Sequence, residues 1–144
     1  MFCPFCSNQE TKVLESRISD DSLRRRRECL SCNNRFTTYE KAAFQLTVTK
    51  KNNKEEPFQL QKVVESIKRA CNKIEPETVL ALSKKVEQKI IKKKLSSIKT
   101  TDIGKIVLTE LKKFDKIAYL RFASIHKGIE DPKLLEKEIN LIMS

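Results

Sequence analysis

The chain has 144 residues and a mass of 16.7 kDa, which is enough for one ordinary domain or two small ones. A formal net charge of +11 indicates an anionic partner such as nucleic acid or nucleotide, although a solvated surface explains it equally well. The only two glycines, Gly104 and Gly128, exclude a P-loop and a dinucleotide-binding glycine motif. No apolar run approaches the roughly 20 residues of a membrane span, and no signal segment opens the chain, so a cytoplasmic location is expected.

The type of basic residue differs along the chain. Six of the eight arginines lie in the first 46 residues, where the net charge is only +2, whereas the remainder carries +9, mostly as lysine. The arginine fork suits phosphates and guanine edges, while lysine is a hydrated point charge. The first segment is therefore the better candidate for a specific anion-binding surface.

Four of the five cysteines form two C-x2-C pairs, Cys3/Cys6 and Cys29/Cys32, with 22 residues between them. Four thiolates at this spacing are typical of one tetrahedral structural zinc ion. Disulfides are disfavoured in a cytosolic chain, and a redox CxxC needs a larger fold than this segment supplies. Catalytic zinc is also disfavoured, because the only histidine, His126, is far away in sequence.

Short strands are predicted between and after the cysteine pairs, at Thr11–Arg17, Arg24–Glu28 and Arg35–Tyr39, with a turn at residues 20–22. This is the pattern of a zinc ribbon. Alternation along a strand puts Arg24 and Arg26 on one face and Arg25 and Arg27 on the other. Four consecutive arginines beside a metal knuckle favour nucleic-acid binding over a solvated or protein-contact face.

The second part of the chain begins with a predicted hairpin over residues 44–58, in which Phe44, Leu46 and Val48 alternate with polar residues and Asn52-Asn53 forms the turn. Five amphipathic helices follow, because apolar residues recur at helical spacing and start signals precede them. They are predicted to begin near Leu60, Pro76, Thr100, Asp115 and Asp131, with Cys71 buried in the first stripe. The stripes of the last two helices are predicted to face the core, with Ile117, Leu120 and Ile125 in the fourth helix and Leu134, Leu135, Ile139, Ile142 and Met143 in the fifth.

The fold class is therefore α+β, a small zinc ribbon followed by a mainly helical domain with a short hairpin. Lysines flank the hairpin turn at 50, 51 and 54, and Lys62 opens the first helix. With Phe58 and a helix N-terminus they form a candidate phosphate site without a glycine loop, and the alternative is that these hairpin lysines are only solvated.

The segments CPFC, TKVLESR, RRRRECLSC and RFTTYE in residues 1–40 resemble the zinc ribbon of the NrdR family of bacterial transcriptional repressors. Residues from about 46 onward resemble the ATP-cone. The resemblance is carried by VTKK at 48–51, EPF at 56–58, Lys62, Ile103-Gly104 and YLRFASIH at 119–126. The resemblance covers essentially the whole chain. It implies domains at 1–45 (zinc ribbon, DNA-binding) and 46–144 (ATP-cone, nucleotide-binding and oligomerisation), with a cone core at about 46–128 and a C-terminal helix at 131–143.

The resemblance implies a non-enzymatic repressor that binds double-stranded operator DNA upstream of ribonucleotide reductase genes. It implies one structural Zn2+ and ATP or dATP as effector, with the nucleotide controlling the homo-oligomeric state. A cytoplasmic chain of this kind is nucleoid-associated when bound to DNA. The zinc ligands carried over are Cys3, Cys6, Cys29 and Cys32. The DNA-facing residues carried over are Arg17, Arg24, Arg25, Arg26, Arg27 and Arg35. The nucleotide residues carried over are Val48, Lys50, Lys51, Glu56, Phe58, Lys62 and Tyr119.

The chain departs from the family pattern at the hairpin turn, where Lys50-Lys51-Asn52-Asn53 replaces Lys-Arg-Asp-Gly, and at His126-Lys127, which replaces Tyr-Arg. Two other function classes remain open from the residues. One is a zinc-ribbon hydrolase or nuclease, which the missing P-loop and the lack of clustered carboxylates disfavour. The other is a regulatory subunit that docks on ribonucleotide reductase without binding DNA.

Overall fold

In the computed structural model, which describes residues 1–144, the chain divides into two compact units, Met1–Phe44 and Gln45–Ser144. The first is a small sheet with the cysteines at one end, and the second is mainly helical. None of the helices is both long enough and apolar enough to cross a membrane. The α+β class predicted from the sequence is confirmed.

The first unit is a three-stranded antiparallel sheet in the order β1-β2-β3, formed by β1 (Thr11–Ser19), β2 (Ser22–Cys29) and β3 (Arg35–Lys41). All three predicted strands are present, and each is longer than predicted. A tight turn joins β1 to β2, with Ser19 paired to Ser22 and Asp20 at φ 48°. A shift in register between Val13 and Glu15 marks a β-bulge in β1, so β2 remains regular throughout.

The second unit contains a small mixed sheet in the order β5-β4-β6. Strands β4 (Thr47–Thr49) and β5 (Glu55–Pro57) form the predicted hairpin, which is shorter than expected because Phe44 lies outside the strand and is exposed. Strand β6 (Ser97–Lys99) pairs in parallel with β4 and was not predicted. Its single buried residue, Ile98, is too little for a periodic signal, and a parallel pairing across this sequence separation depends on tertiary structure.

Five helices form the body of the second unit, close to the predicted starts. They are α1 (Leu60–Ala70), α2 (Pro76–Lys92), α3 (Thr100–Phe114), α4 (Lys116–His126) and α5 (Pro132–Met143). The Asp115 side chain caps α4 and the Asp131 side chain caps α5, each accepting hydrogen bonds from first-turn amides. Ile67, Val86 and Leu111 are fully buried where the helices pack together.

The outer faces of α4 and α5 differ from the prediction. Ile117 and Ile125 of α4 are 57% and 84% exposed, and Leu134, Ile139 and Met143 of α5 are also exposed. Ile142 of the predicted α5 stripe is buried, and so is Glu138, which was not predicted. The core assignment of those five residues was wrong because periodicity shows which residues align on a helix, but not whether another element covers them.

Candidate metal centre, nucleic-acid face and nucleotide cavity

The four cysteines of the first unit come together as a candidate metal centre. Their sulfur atoms all lie within 4.8 Å of one another. The Cys3 and Cys32 sulfurs are 3.7 Å apart, and the Cys6 and Cys29 sulfurs are 3.5 Å apart. Tetrahedral zinc with Zn–S bonds of about 2.3 Å requires sulfur separations of about 3.8 Å, so the cluster fits Zn2+. Cys71 is buried in the second unit and is not part of the cluster.

Each cysteine pair sits on the same type of turn. The backbone N–H of Ser7 donates to the Cys3 carbonyl at 2.9 Å, and the N–H of Asn33 donates to the Cys29 carbonyl at 3.1 Å. Ser7 and Asn33 both adopt a left-handed conformation, with φ of 64° and 61°. Amides of each turn also point at sulfur, as when Phe5 N–H donates to Cys3 Sγ at 3.4 Å. These amide donors favour the thiolate form of the cysteines, which is the form that binds a metal cation.

The protonation of the cluster is uneven in the absence of metal. Backbone donation from Cys32 lowers the pKa of the Cys29 thiol to about 6. Although a backbone hydrogen bond with Asn8 lowers it, the pKa of Cys6 rises to about 12 beside the Cys29 sulfur. Because zinc binds thiolates, Cys29 is prepared for the metal, and binding must displace the proton from Cys6.

The regular register of β2 divides the arginines between the two sheet faces. Arg24 lies opposite Arg17 and Arg26 lies opposite Glu15 on β1, and this face continues to Arg35 of β3. We call this surface, defined by Arg17, Arg24, Arg26 and Arg35, the even face. Arg17 pairs with Glu15, and Arg35 donates to Glu28 at 3.0 Å and lowers the pKa of that carboxyl. Arg24 and Arg26 have no acidic partner.

The opposite face carries the other two arginines, and both are held within the sheet. Arg27 donates to Thr38 Oγ1 at 3.2 Å and to Thr11 Oγ1 at 3.3 Å, which ties all three strands together. Arg25 is 3.9 Å from the carboxylate of Glu40, and its Nε is buried without a partner. The structure therefore separates Arg25 and Arg27 from the other four predicted DNA-binding residues.

An apolar cavity of 150 Å³ lies in the second unit between the hairpin and helices α1, α3 and α4. Val48, Glu56, Phe58 and Lys62 line it, as the predicted nucleotide site requires. The other wall was absent from the predicted site and is formed by Thr100, Ile103, Gly104, Val107, Phe122 and His126. The cavity can hold a flat apolar group with polar atoms at its mouth.

A second, polar cavity of 290 Å³ lies at the hairpin turn, where Lys50 and Lys51 meet Lys99 and the N-terminus of α3. Thr100 lines both cavities. Asn53 occupies the left-handed position of the turn with φ 64°, so it performs the conformational role of the family's glycine. Ammonium groups and free amides at a helix N-terminus are the groups that bind phosphate.

Glu56 organises the lysines at the junction of the two cavities. Its carboxylate is 2.7 Å from Lys62 Nζ and 3.0 Å from Lys50 Nζ. These contacts, with Lys62 first and Lys50 second, lower the pKa of Glu56. The carboxylate therefore remains ionised and positions both ammonium groups, whereas Lys51 has no acidic partner.

Comparison with known proteins supports the same division of the chain. Residues 1–40 match the family described as "Transcriptional repressor NrdR-like, N-terminal domain", and residues 46–132 match the "ATP cone domain". The chain is 42% identical to "Transcriptional repressor NrdR" of Corynebacterium diphtheriae, over 99% of this chain and 95% of the relative. The proteins of the same name from Finegoldia magna and Clostridium kluyveri are each 40% identical over at least 97% of both chains. The chain belongs to the NrdR family of transcriptional repressors.

Membership of the NrdR family accounts for the combination of a zinc ribbon with an ATP-cone, which fits a nucleotide-sensing repressor and not an enzyme. Of the predicted nucleotide residues, Tyr119 is the one that lines neither cavity. It is buried, and its hydroxyl donates to Glu138 of α5 at 2.9 Å. The cavity residues that sequence reasoning missed include His126 and Ile103-Gly104. They lie in segments that carried the family resemblance, and that resemblance was the only signal for them.

Proposed function

We propose that the protein represses ribonucleotide reductase genes by binding operator DNA through its zinc ribbon, in response to ATP or dATP bound by its ATP-cone. The observation that carries the proposal is the match of both modules, in order, over essentially the whole chain. The resemblance of the sequence to the NrdR family supplies the target genes and the effectors.

The even face is the DNA-reading surface of this proposal. Arg24 and Arg26 are free of acidic partners, and Arg24 stands directly opposite Arg17. Like charges at opposite positions are unfavourable unless an anion lies between them, and phosphate is such an anion. Arg25 and Arg27 support the sheet from the other side. The strands that carry both sets of arginines are held at one end by the zinc ligands, Cys3, Cys6, Cys29 and Cys32.

The nucleotide site of the proposal joins the two cavities at Thr100. The adenine ring occupies the apolar cavity against Val48 and Phe58, and the phosphates extend to the polar cavity at Lys50 and Lys51. Lys62 and Glu56 lie at the junction. An apolar slot for the base beside cationic groups for the phosphates meets the chemical requirements of a nucleoside triphosphate.

Control of the oligomeric state is the third part of the proposal. Helix α4 contributes Phe122 and His126 to the cavity wall, while Ile117 and Ile125 of the same helix are exposed. Exposed apolar side chains of this size favour contacts with another chain. A nucleotide that shifts α4 moves these exposed side chains and so changes how one chain contacts another. The resulting oligomer sets the distance between zinc ribbons, and only a distance that matches the operator half-sites allows specific binding.

The DNA-binding part is tested by gel shift at fixed salt with a fragment from upstream of the ribonucleotide reductase genes. Arg24→Ala and Arg26→Ala should each weaken specific binding by about 1–3 kcal/mol if the side chain reads a base. If it contacts only phosphate, binding weakens on all sequences and the salt slope falls by about one. Arg69→Ala, which removes an exposed arginine of the second unit, is the matched control. Undiminished operator binding by the double variant would reject the even face.

The sensing part is tested by the same gel shift with no nucleotide, ATP or dATP, run beside light scattering. The proposal expects different assemblies and different operator affinities with the two nucleotides. Identical size distributions would reject oligomer control. A chain that fails to retain operator DNA at moderate salt but forms a stable complex with ribonucleotide reductase would favour the alternative, a regulatory subunit of that enzyme.

A further inference from the structure

The only histidine of the chain lies in the wall of the nucleotide cavity. His126 ends α4, and its imidazole stacks on Phe122 with ring centroids 5.7 Å apart. The ring lies against α3 at Gly104, where an added Cβ would overlap the imidazole atoms. The absence of a side chain at Gly104 therefore makes the space that keeps the imidazole at the cavity wall.

The surroundings of His126 are basic on several elements. The positive charges of Lys51 on the hairpin turn, of Lys105 on α3 and of Lys127, which follows His126 directly, all act on the ring. Other charged groups line its cavity or the adjoining space between α1 and α4, namely Glu56, Lys62, Arg69 and Arg121. Carboxylates on the elements around the ring are already paired, Glu56 with Lys50 and Lys62, Asp102 of α3 with Lys105, and Glu138 of α5 with Lys127.

These surroundings disfavour the charged form of the imidazole in the free protein. Burial lowers the pKa of His126, and the charges of Lys51 and Lys127 lower it further, while a hydrogen bond with the Thr101 backbone opposes the change. Lys51 is also the hairpin lysine that lacks an acidic partner and lines the polar cavity. A phosphate bound there offsets one of the charges that oppose protonation of His126.

We infer that His126 couples nucleotide binding to uptake of a proton, so that this chain holds ATP or dATP more tightly as the pH falls. The inference rests on the proposed nucleotide site. The linkage is reciprocal: the bound triphosphate favours the imidazolium, and the imidazolium favours the triphosphate by the same factor.

The sign of the effect is fixed by the order of the two pKa values. The pKa of His126 is lower in the free protein than in the complex, because the phosphates add negative charge near the ring. Affinity therefore rises as the pH falls from above the pKa of the complex to below that of the free protein. The terminal phosphate of the nucleotide also titrates in this range and opposes the effect, which makes a non-titrating control necessary.

The direct test is proton NMR of the imidazole in the tag-free full chain, because a single histidine gives an unambiguous signal. The titration midpoint should move to higher pH when ATP is added at saturation. Lys51→Gln should raise the midpoint of the free chain and reduce the movement caused by ATP. Lys54→Gln, a change of the same charge in the same turn, should leave both unchanged.

Calorimetric ATP titrations at pH 6 and pH 8 complete the test. The affinity ratio between the two pH values should be larger in wild type than in His126→Gln by a factor on the order of three. Equal ratios, or a midpoint that ATP does not move in a chain that binds ATP, overturn this inference and leave the proposed function intact. Binding of neither ATP nor dATP at either pH overturns both.

Discussion

Two lysines of the same turn have different surroundings. Lys51 lines the polar cavity with Lys50 and Thr100, whereas Lys54 follows the turn and is not among the residues that line it. The backbone explains the difference, because Lys50 N–H donates to the Lys54 carbonyl at 2.8 Å and Asn53 turns left-handed between them. The role of a hairpin lysine therefore depends on its register as well as its charge.

We predict that Lys51→Gln weakens ATP binding about tenfold, because a charge-assisted hydrogen bond to phosphate is lost. Isothermal titration calorimetry at low salt measures the change. Lys54→Gln removes the same charge outside the cavity and serves as the control. Equal losses of ATP affinity in the two variants would mean that the lysines act only through the overall electrostatic field of the protein.

Arg27 and Arg26 provide a second comparison at the residue scale. Arg27→Ala removes hydrogen bonds to Thr38 and Thr11 and should destabilise the zinc-loaded sheet by about 1 kcal/mol. Arg26→Ala removes an exposed side chain without a partner and should leave stability unchanged within about 0.5 kcal/mol. The free energy of unfolding of the first unit, measured by denaturant titration, distinguishes the two variants. A large loss of stability in Arg26→Ala would contradict the division of the faces.

At the scale of elements, α5 is attached by a few buried contacts. Glu138, only 8% exposed, accepts from the Tyr119 hydroxyl and lies 2.5 Å from Lys127 Nζ. Ile142 is the other buried residue of the helix. Much of the remaining apolar surface of α5 is exposed, so the polar network largely determines how this helix is seated.

We predict that Glu138→Gln destabilises the second unit by about 1–3 kcal/mol, because it leaves the Lys127 ammonium without its carboxylate. Hydrogen exchange should show the loss first in the amides of α5. Glu136→Gln, an exposed change on the same helix, is the control. Equal protection of α5 in the two variants would show that the network does not seat the helix.

The pH dependence of this attachment follows from the direction of the pKa changes. Hydrogen bonding from Lys127 lowers the pKa of Glu138, and the same contact raises the pKa of Lys127. The Glu138 contribution is complete above the ordinary glutamate pKa of about 4.3 and is lost as the pH falls through the lower folded value. Protection of α5 should therefore decrease in that acidic range, and in Glu138→Gln this acidic step should be absent. Because the pKa of Lys127 is raised, protection should decrease a second time at alkaline pH as Lys127 loses its proton.

For the whole molecule, the net charge does not mark the DNA-binding surface. Four thiolates with one Zn2+ contribute −2, so the metal-bound chain is nearer +9 than the formal +11, and the ribbon is close to neutral. The basic excess is mostly lysine on the second unit. In the proposed function, specific recognition depends instead on a few arginines of the ribbon whose strands are held by the metal centre.

We predict that removing zinc separates the activities of the two units. A chelator should unfold Met1–Phe44 and abolish operator binding, because so small a unit lacks an extensive core of its own. ATP binding and the helical circular dichroism signal should persist. Mild acid should release zinc as well, since the thiolates must be protonated. Loss of ATP binding on chelation, reversed by added zinc, would contradict independent units.

Much of the architecture follows from local signals in the sequence. The cysteine spacing predicted the metal cluster, and start signals such as Asp115 and Asp131-Pro132 predicted the helix boundaries, because caps and prolines act within one turn. The hairpin was located by Asn52-Asn53, and Asn53 takes the left-handed position. These features are local, so one sequence suffices to find them.

Contacts between distant segments were decided only by the tertiary structure. Strand β6 pairs with β4 across almost fifty residues, and the cavity wall at His126 exists because Gly104 lies against it from another helix. The exposure of Ile117 and the burial of Glu138 depend on which helices cover them. The sequence determined the modules and their chemistry because ligand spacing and helix starts are local properties. Which side chains share a cavity was decided by packing, because that depends on all the elements together.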